Sequence, residues 1–214
     1  MSIKALTIAV FLAGCFALEA ASPERTVDND AITSERDPKV RIELPRSGQY
    51  VGADRWVLYG IADCELHAFV EADNERKVDR LYWIQFEGYL PSKPDLHHRY
   101  ASPRHVTIGG LDFYVDTWVA AKDEKTTPGS DLEHIQSLIR AKAYKMPAGL
   151  AVVRLVHLMD DKRKELMIIY AEDLAPRGLK AAGLDKGGKA YDQRSVIEKS
   201  LVERATSTIK IEQL

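Results

Sequence analysis

The stretch GLAVVRLVHLMDDKRKELMIIY, residues 149–170, decides the fold. In its first half Leu150, Val152, Arg154, Val156 and Leu158 share one face of a strand, and Ala151, Val153, Leu155, His157 and Met159 share the other. Apart from Arg154 and His157 both faces are apolar, so the strand is covered on both sides and sits centrally in its sheet. The charged turn Asp160-Asp161-Lys162-Arg163-Lys164 then reverses the chain into ELMIIYAEDL, which breaks at Pro176. The segment is a hairpin.

Upstream the same logic repeats. Gly109-Gly110 sits between Val106 and Ile108 on one side and Leu111, Phe113 and Val115 on the other, and two glycines supply the positive φ that a tight primed turn demands. Further back, Trp56, Leu58, Gly60, Ala62, Cys64, Leu66, Ala68, Val70 and Ala72 alternate without a break and read as one long strand. The charged turn DNERK from Asp73 then leads into VDRLYWIQFEGYL, making another hairpin. A short strand over Val40, Ile42 and Leu44 is ended by Pro45.

Two helices complete the layout. Ser130 with Glu133 three positions on forms a capping box, followed by Leu132, Ile135, Leu138, Ile139 and Ala143 at helical spacing. The second runs from about Ser195 to Thr208, with Ile197, Leu201, Ala205 and Ile209 on one stripe. The expected class is therefore α+β: an antiparallel sheet built from hairpins, with the two main helices packed on one face.

The first residues bear on location. Lys4, an apolar run from Ala5 to Leu18 and small residues at Ala20, Ala21 and Ser22 make residues 1–20 an export signal, too short for a bilayer span. Within it Leu12-Ala13-Gly14-Cys15 resembles the lipobox of bacterial lipoproteins, in which Cys15 would carry the lipid; the apolar Phe16-Ala17-Leu18 after it favours plain cleavage. The expected location is outside the cytoplasm, periplasmic or secreted, or alternatively membrane-anchored through a lipid on Cys15. Residues 21–38, polar and without apolar period, read as a flexible tether, and residues 39–211 as a single domain.

Composition excludes several classes. With 30 basic against 32 acidic residues and a net charge of −2, nothing draws the chain to nucleic acid, and membrane contact is expected only through an N-terminal lipid. Only Cys15 and Cys64 exist, so the mature chain has no disulfide, and Cys64 reads as a small buried hydrophobe. The histidines of SKPDLHHRYASPRH match no metal-ligand spacing; that loop reads as a basic cover over a sheet edge or pocket mouth, and neither a metal nor a cofactor is expected. Gly-x-Ser-x-Gly and phosphate-binding glycine loops are absent.

Arg154 remains the residue out of place. A guanidinium in a dry sheet needs acceptors. Glu87, Glu172 and Asp173 are the candidate partners for a structural ion pair, and the competing reading is that Arg154 faces a cavity and grips an anion. His157 points away from Arg154 and reads as a hydrogen-bonded core residue, with Glu87 or Asp116 as the partner a catalytic role would need. The candidate ligand-binding residues are thus Arg154, His157, Glu87 and Glu172. They belong to an expected non-enzymatic envelope module that binds a small anionic or amphipathic ligand or a protein partner. The alternatives are an enzyme using Arg154 with a nearby carboxylate as base, and a structural subunit of an envelope assembly.

Overall fold

The computed structural model describes residues 22–121 and 126–214. The stretch expected as an export signal, residues 1–20, and the lipobox-like residues with Cys15 lie outside the described residues. Among the described residues no helix is long and apolar enough to cross a membrane.

Among the described residues two antiparallel sheets and three α-helices make an α+β fold. The larger sheet holds seven strands: β4 (Gln49–Leu58), β5 (Ala62–Ala72), β6 (Val78–Tyr89), β7 (His105–Ile108), β8 (Leu111–Ala121), β9 (Gly149–Met159) and β10 (Lys164–Asp173). Their spatial order is β4-β5-β6-β10-β9-β8-β7, so β9 lies between β10 and β8, the central position its two apolar faces require. The smaller sheet joins β1 (Thr26–Asp28), β2 (Ala31–Ser34) and β3 (Val40–Glu43) to the C-terminal β11 (Lys210–Gln213).

Three findings correct the sequence reading. The alternating run from Trp56 to Ala72 is two strands, because the chain reverses at Tyr59 and Gly60, both at positive φ. Leu58 pairs with Ala62 across this turn, so the face pattern passes through it unchanged and the turn leaves no break in the alternation. The segment expected as a tether through residue 38 carries β1 and β2, with Ala31, Ile32 and Ser34 wholly buried. Strands this short show no period, and their burial comes from neighbours distant in sequence.

The third correction concerns the helices. Helix α1 (Asp131–Ala141) buries Ile135 and Ile139 in one core with Leu66, Trp83, Val152 and Ile169. Helix α3 (Arg194–Thr208) buries Ile197, Leu201 and Ala205 in another, with Ile84, Phe113, Leu155 and Ile168. Trp83 and Ile84, Val152 and Leu155, and Ile169 and Ile168 are residues of opposite parity on the same three strands, so the helices lie against opposite faces of the seven-stranded sheet, not on one. Both faces of its central strands are apolar and each must be covered. The smaller sheet shares the α3 side, contributing Ile32, Val40, Ile42 and Ile211 to that core.

Local signals hold where chemistry at one position dominates. Gly109 and Gly110 adopt φ of 59° and 80°, joining β7 to β8 through a two-residue turn. A Cβ at Gly109 would sit 2.1 Å from the Ile211 carbonyl oxygen, so glycine is required by packing as well as by φ. At the start of α1 the Ser130 hydroxyl accepts from the Glu133 N–H at 3.4 Å, while the Glu133 carboxylate accepts the Gly129 N–H at 2.7 Å. The short helix α2 (Ala181–Leu184) interrupts the glycine-rich connection before α3.

Candidate functional site

Between α1 and the seven-stranded sheet lies a cavity of about 370 Å³. Cross-strand register builds its floor: Trp83, Ile169 and Arg154 follow one another across β6, β10 and β9 on one face, with Asp116 next in register on β8 behind the lining. The next row is Leu81, Ala171, Val152 and Trp118. Ile135 and Ile139 of α1 form the roof, and Ser130, Asp131, Gln136 and Arg154 bring polar side chains into a largely apolar lining. The volume lies within the range of small-ligand pockets, roughly 300–1,000 Å³.

Arg154 therefore faces a cavity, and it also has a partner. Its Nη2 donates to Asp116 Oδ2 at 2.8 Å, so the neighbour in register on β8 takes the role expected of Glu87, Glu172 or Asp173. Both side chains are about one-third exposed, which makes the pair a modest stabiliser. The guanidinium carbon lies 4.9 Å from the Tyr100 ring centroid and 5.9 Å from that of Trp118. Nε is out of contact with solvent and has no hydrogen-bond partner. One prong is committed to the fold, and the side chain remains part-exposed at the cavity.

Beyond Arg154 the same face turns acidic. Glu87 on β6 and Glu165 on β10 are register partners, and Cys64 on β5 pairs with Glu87 on its other side. Glu165 is buried; its Oε2 accepts from the Tyr100 hydroxyl at 2.7 Å and lies 3.0 Å from His98 Nδ1. Burial, reinforced by the charge of Glu87, pushes the Glu165 carboxyl up to about 8. Burial likewise brings His98 down to about 4, so the site favours the neutral form of both acid and imidazole. His98 and Tyr100 come from the loop expected to cover a pocket mouth, and Arg163 clamps that loop through the carbonyls of Lys93 and Leu96 at 2.9 and 3.2 Å.

The other candidates lie elsewhere. His157 is on the α3 side, where Nδ1 contacts the Asp112 carbonyl at 2.9 Å, a structural bond near the strand end. Neither Glu87 nor Asp116 is its partner. Glu172 is also on that side, held by Arg204 Nη2 at 2.8 Å, the Tyr170 hydroxyl at 2.6 Å and Arg177 at 3.3 Å. Burial alone would raise its pKa, but the Arg204 and Tyr170 bonds outweigh it and hold the carboxyl below its ordinary range. Of the four candidates, Arg154 and Glu87 share the α1 face, and His157 and Glu172 do not.

Sequence reasoning overlooked Glu165, Asp131 and Gln85. Glu165 opens an apolar strand and looks like the end of a charged turn; Asp131 looks like the favourable acid of a helix first turn. The one available signal is parity, since Cys64, Gln85 and Glu87 fall on the same faces as large apolar neighbours. No family model, no characterised protein and no solved structure matches the chain, so the functional reading rests on this geometry.

Proposed function

We propose that the chain is an exported, non-enzymatic binding module that takes a small amphipathic ligand into the cavity beneath α1. The observation that carries this reading is an apolar cavity of about 370 Å³ whose wall includes the part-exposed guanidinium of Arg154. The apolar body of the ligand lies among Leu81, Trp83, Ile135 and Ile169, and its head group, anionic or hydrogen-bond accepting, meets Arg154. Export rests on the apolar N-terminal stretch, and Cys15 is the position a lipid would occupy. Glu165, His98 and Tyr100 stand beside the cavity rather than in its lining, which favours binding over catalysis.

An amphipathic anion tests the site directly. 1-Anilinonaphthalene-8-sulfonate should bind the folded protein saturably at one site, quench the fluorescence of the cavity residues Trp83 and Trp118, and be displaced by dodecanoate. Arg154→Met should weaken that binding at least about tenfold, since a charge-assisted bond is worth about 1.5–3 kcal/mol, while the protein stays folded. Non-saturating binding, or binding indifferent to Arg154→Met, would overturn the reading.

A further inference from the structure

The acidic end of the α1 face holds a group of donors that the ligand reading does not use. Cys64 Sγ and one carboxylate oxygen each from Glu87 and Asp131 all lie within 4.8 Å of one another. They come from three elements: Cys64 and Glu87 are register partners on β5 and β6, and Asp131 is the first residue of α1, laid over that face. From this convergence we propose a metal site, in which Cys64, Glu87 and Asp131 hold one divalent transition-metal cation, Zn²⁺ being the ion their chemistry suits.

Charge balance supports it. The two carboxyls are half-buried, and among the described residues neither takes a hydrogen bond or ion pair from a lysine or arginine. Asp131 Oδ1 is sealed from solvent and has no hydrogen-bond partner, a cost that a bound cation removes. The surroundings orient the donors as the outer partners of metal sites do: Trp83 Nε1 donates to Gln85 Oε1 at 2.9 Å, and Gln85 Nε2 donates to Glu87 Oε2 at 3.2 Å. Gln85 is wholly buried, so this chain fixes the Glu87 carboxylate beside Cys64, whose thiol hydrogen-bonds it in the metal-free protein and would give up that proton to an ion.

The donor set selects the metal. A thiolate among carboxylates disfavours Ca²⁺ and Mg²⁺, which take oxygen ligands, and suits Zn²⁺, which accepts sulfur and oxygen together. Three protein donors leave one position of a tetrahedral ion for water or a ligand atom, and Asp131 also lines the cavity. The ion would therefore stand at the cavity's edge.

The test uses the mature chain, dialysed against Zn²⁺ and washed, with metal content measured by mass spectrometry and Co²⁺ exchanged in for spectroscopy. One ion per chain and a sulfur-to-cobalt charge-transfer band are expected. Cys64→Ser and Asp131→Asn should each abolish the stoichiometric ion, or weaken it by at least about tenfold, with circular dichroism unchanged. His97→Gln combined with His105→Gln, on the loop side, should leave it intact. Absence of stoichiometric Zn²⁺, or a Zn²⁺ that disappears with the histidine pair and survives Cys64→Ser and Asp131→Asn, would overturn the proposal. Should Cys64→Ser fail to fold, Asp131→Asn at the helix start and the cobalt spectrum of the unmutated chain decide it.

Discussion

The two faces of the seven-stranded sheet bury acids in opposite ways. On the α3 side each acid is surrounded by donors. Glu65, almost inaccessible, accepts the N–H groups of Glu24 and Arg25 at 2.8 and 2.9 Å, Arg25 Nη1 at 3.1 Å, and faces His67 Nε2 at 2.9 Å. Glu172 is held by Arg204, Tyr170 and Arg177. On the α1 side Glu87, Glu165 and Asp131 all sit above the ordinary carboxyl range, chiefly through burial. An acid whose donors outweigh its burial, as at Glu65 and Glu172, holds the fold together, whereas Glu87 and Asp131, which no lysine or arginine reaches among the described residues, stand where a partner from outside fits.

The largest expected effect falls on the complete side. Glu65→Ala strands Arg25, His67 and two backbone donors, and should cost about 3–5 kcal/mol in denaturant unfolding, as the loss of one member of a buried charged pair does. A cost below 1 kcal/mol would mean that the network does not hold β1 and β2 down.

The pH dependence of the two faces should have opposite signs. Burial alone would raise Glu65, but the His67 bond and the backbone N–H groups bring it to about 2. A carboxyl depressed in the folded state contributes stability above its unfolded pKa, near 4.5, and that contribution disappears as pH falls toward 2. Glu165 is raised to about 8, so it does no harm below 4.5 and erodes stability as pH climbs from there through 8. In chelator, Glu165→Gln should flatten the alkaline limb of a melting-temperature profile and raise stability at pH 8 by about 1–3 kcal/mol. An unchanged alkaline limb would break the comparison.

The smallest effect belongs to Arg154. Its ion pair with Asp116 is part-exposed, and Arg154→Met should shift unfolding by only about 0–1 kcal/mol while it removes ligand affinity. A large loss of stability would move Arg154 to the structural side.

How much of this was legible follows from the range over which each signal acts. The Gly109-Gly110 turn, the Ser130 cap and the central place of β9 could be read because glycine φ, a capping oxygen and two apolar faces are properties of a few adjacent residues. The turn at Tyr59 and Gly60 was hidden because its pairing of Leu58 with Ala62 preserves strand parity. The partner of Arg154 could not be read either. Asp116 is 38 positions away, and β8 became its neighbour only through the order of strands. Cys64, Glu87 and Asp131 show no ligand spacing because each comes from a different element.

Local chemistry in the chain determined the hairpins, the helices and which residues each strand turns to which side, since backbone periodicity is a short-range property. Strand order and the placing of α1 and α3 on opposite faces were decided only in the tertiary structure, by the need to cover both sides of the central strands. That same packing left Arg154 beside a cavity and gathered the acids under one helix. Burial and counter-charge depend on distances between elements, and no reading of neighbours along the chain contains them.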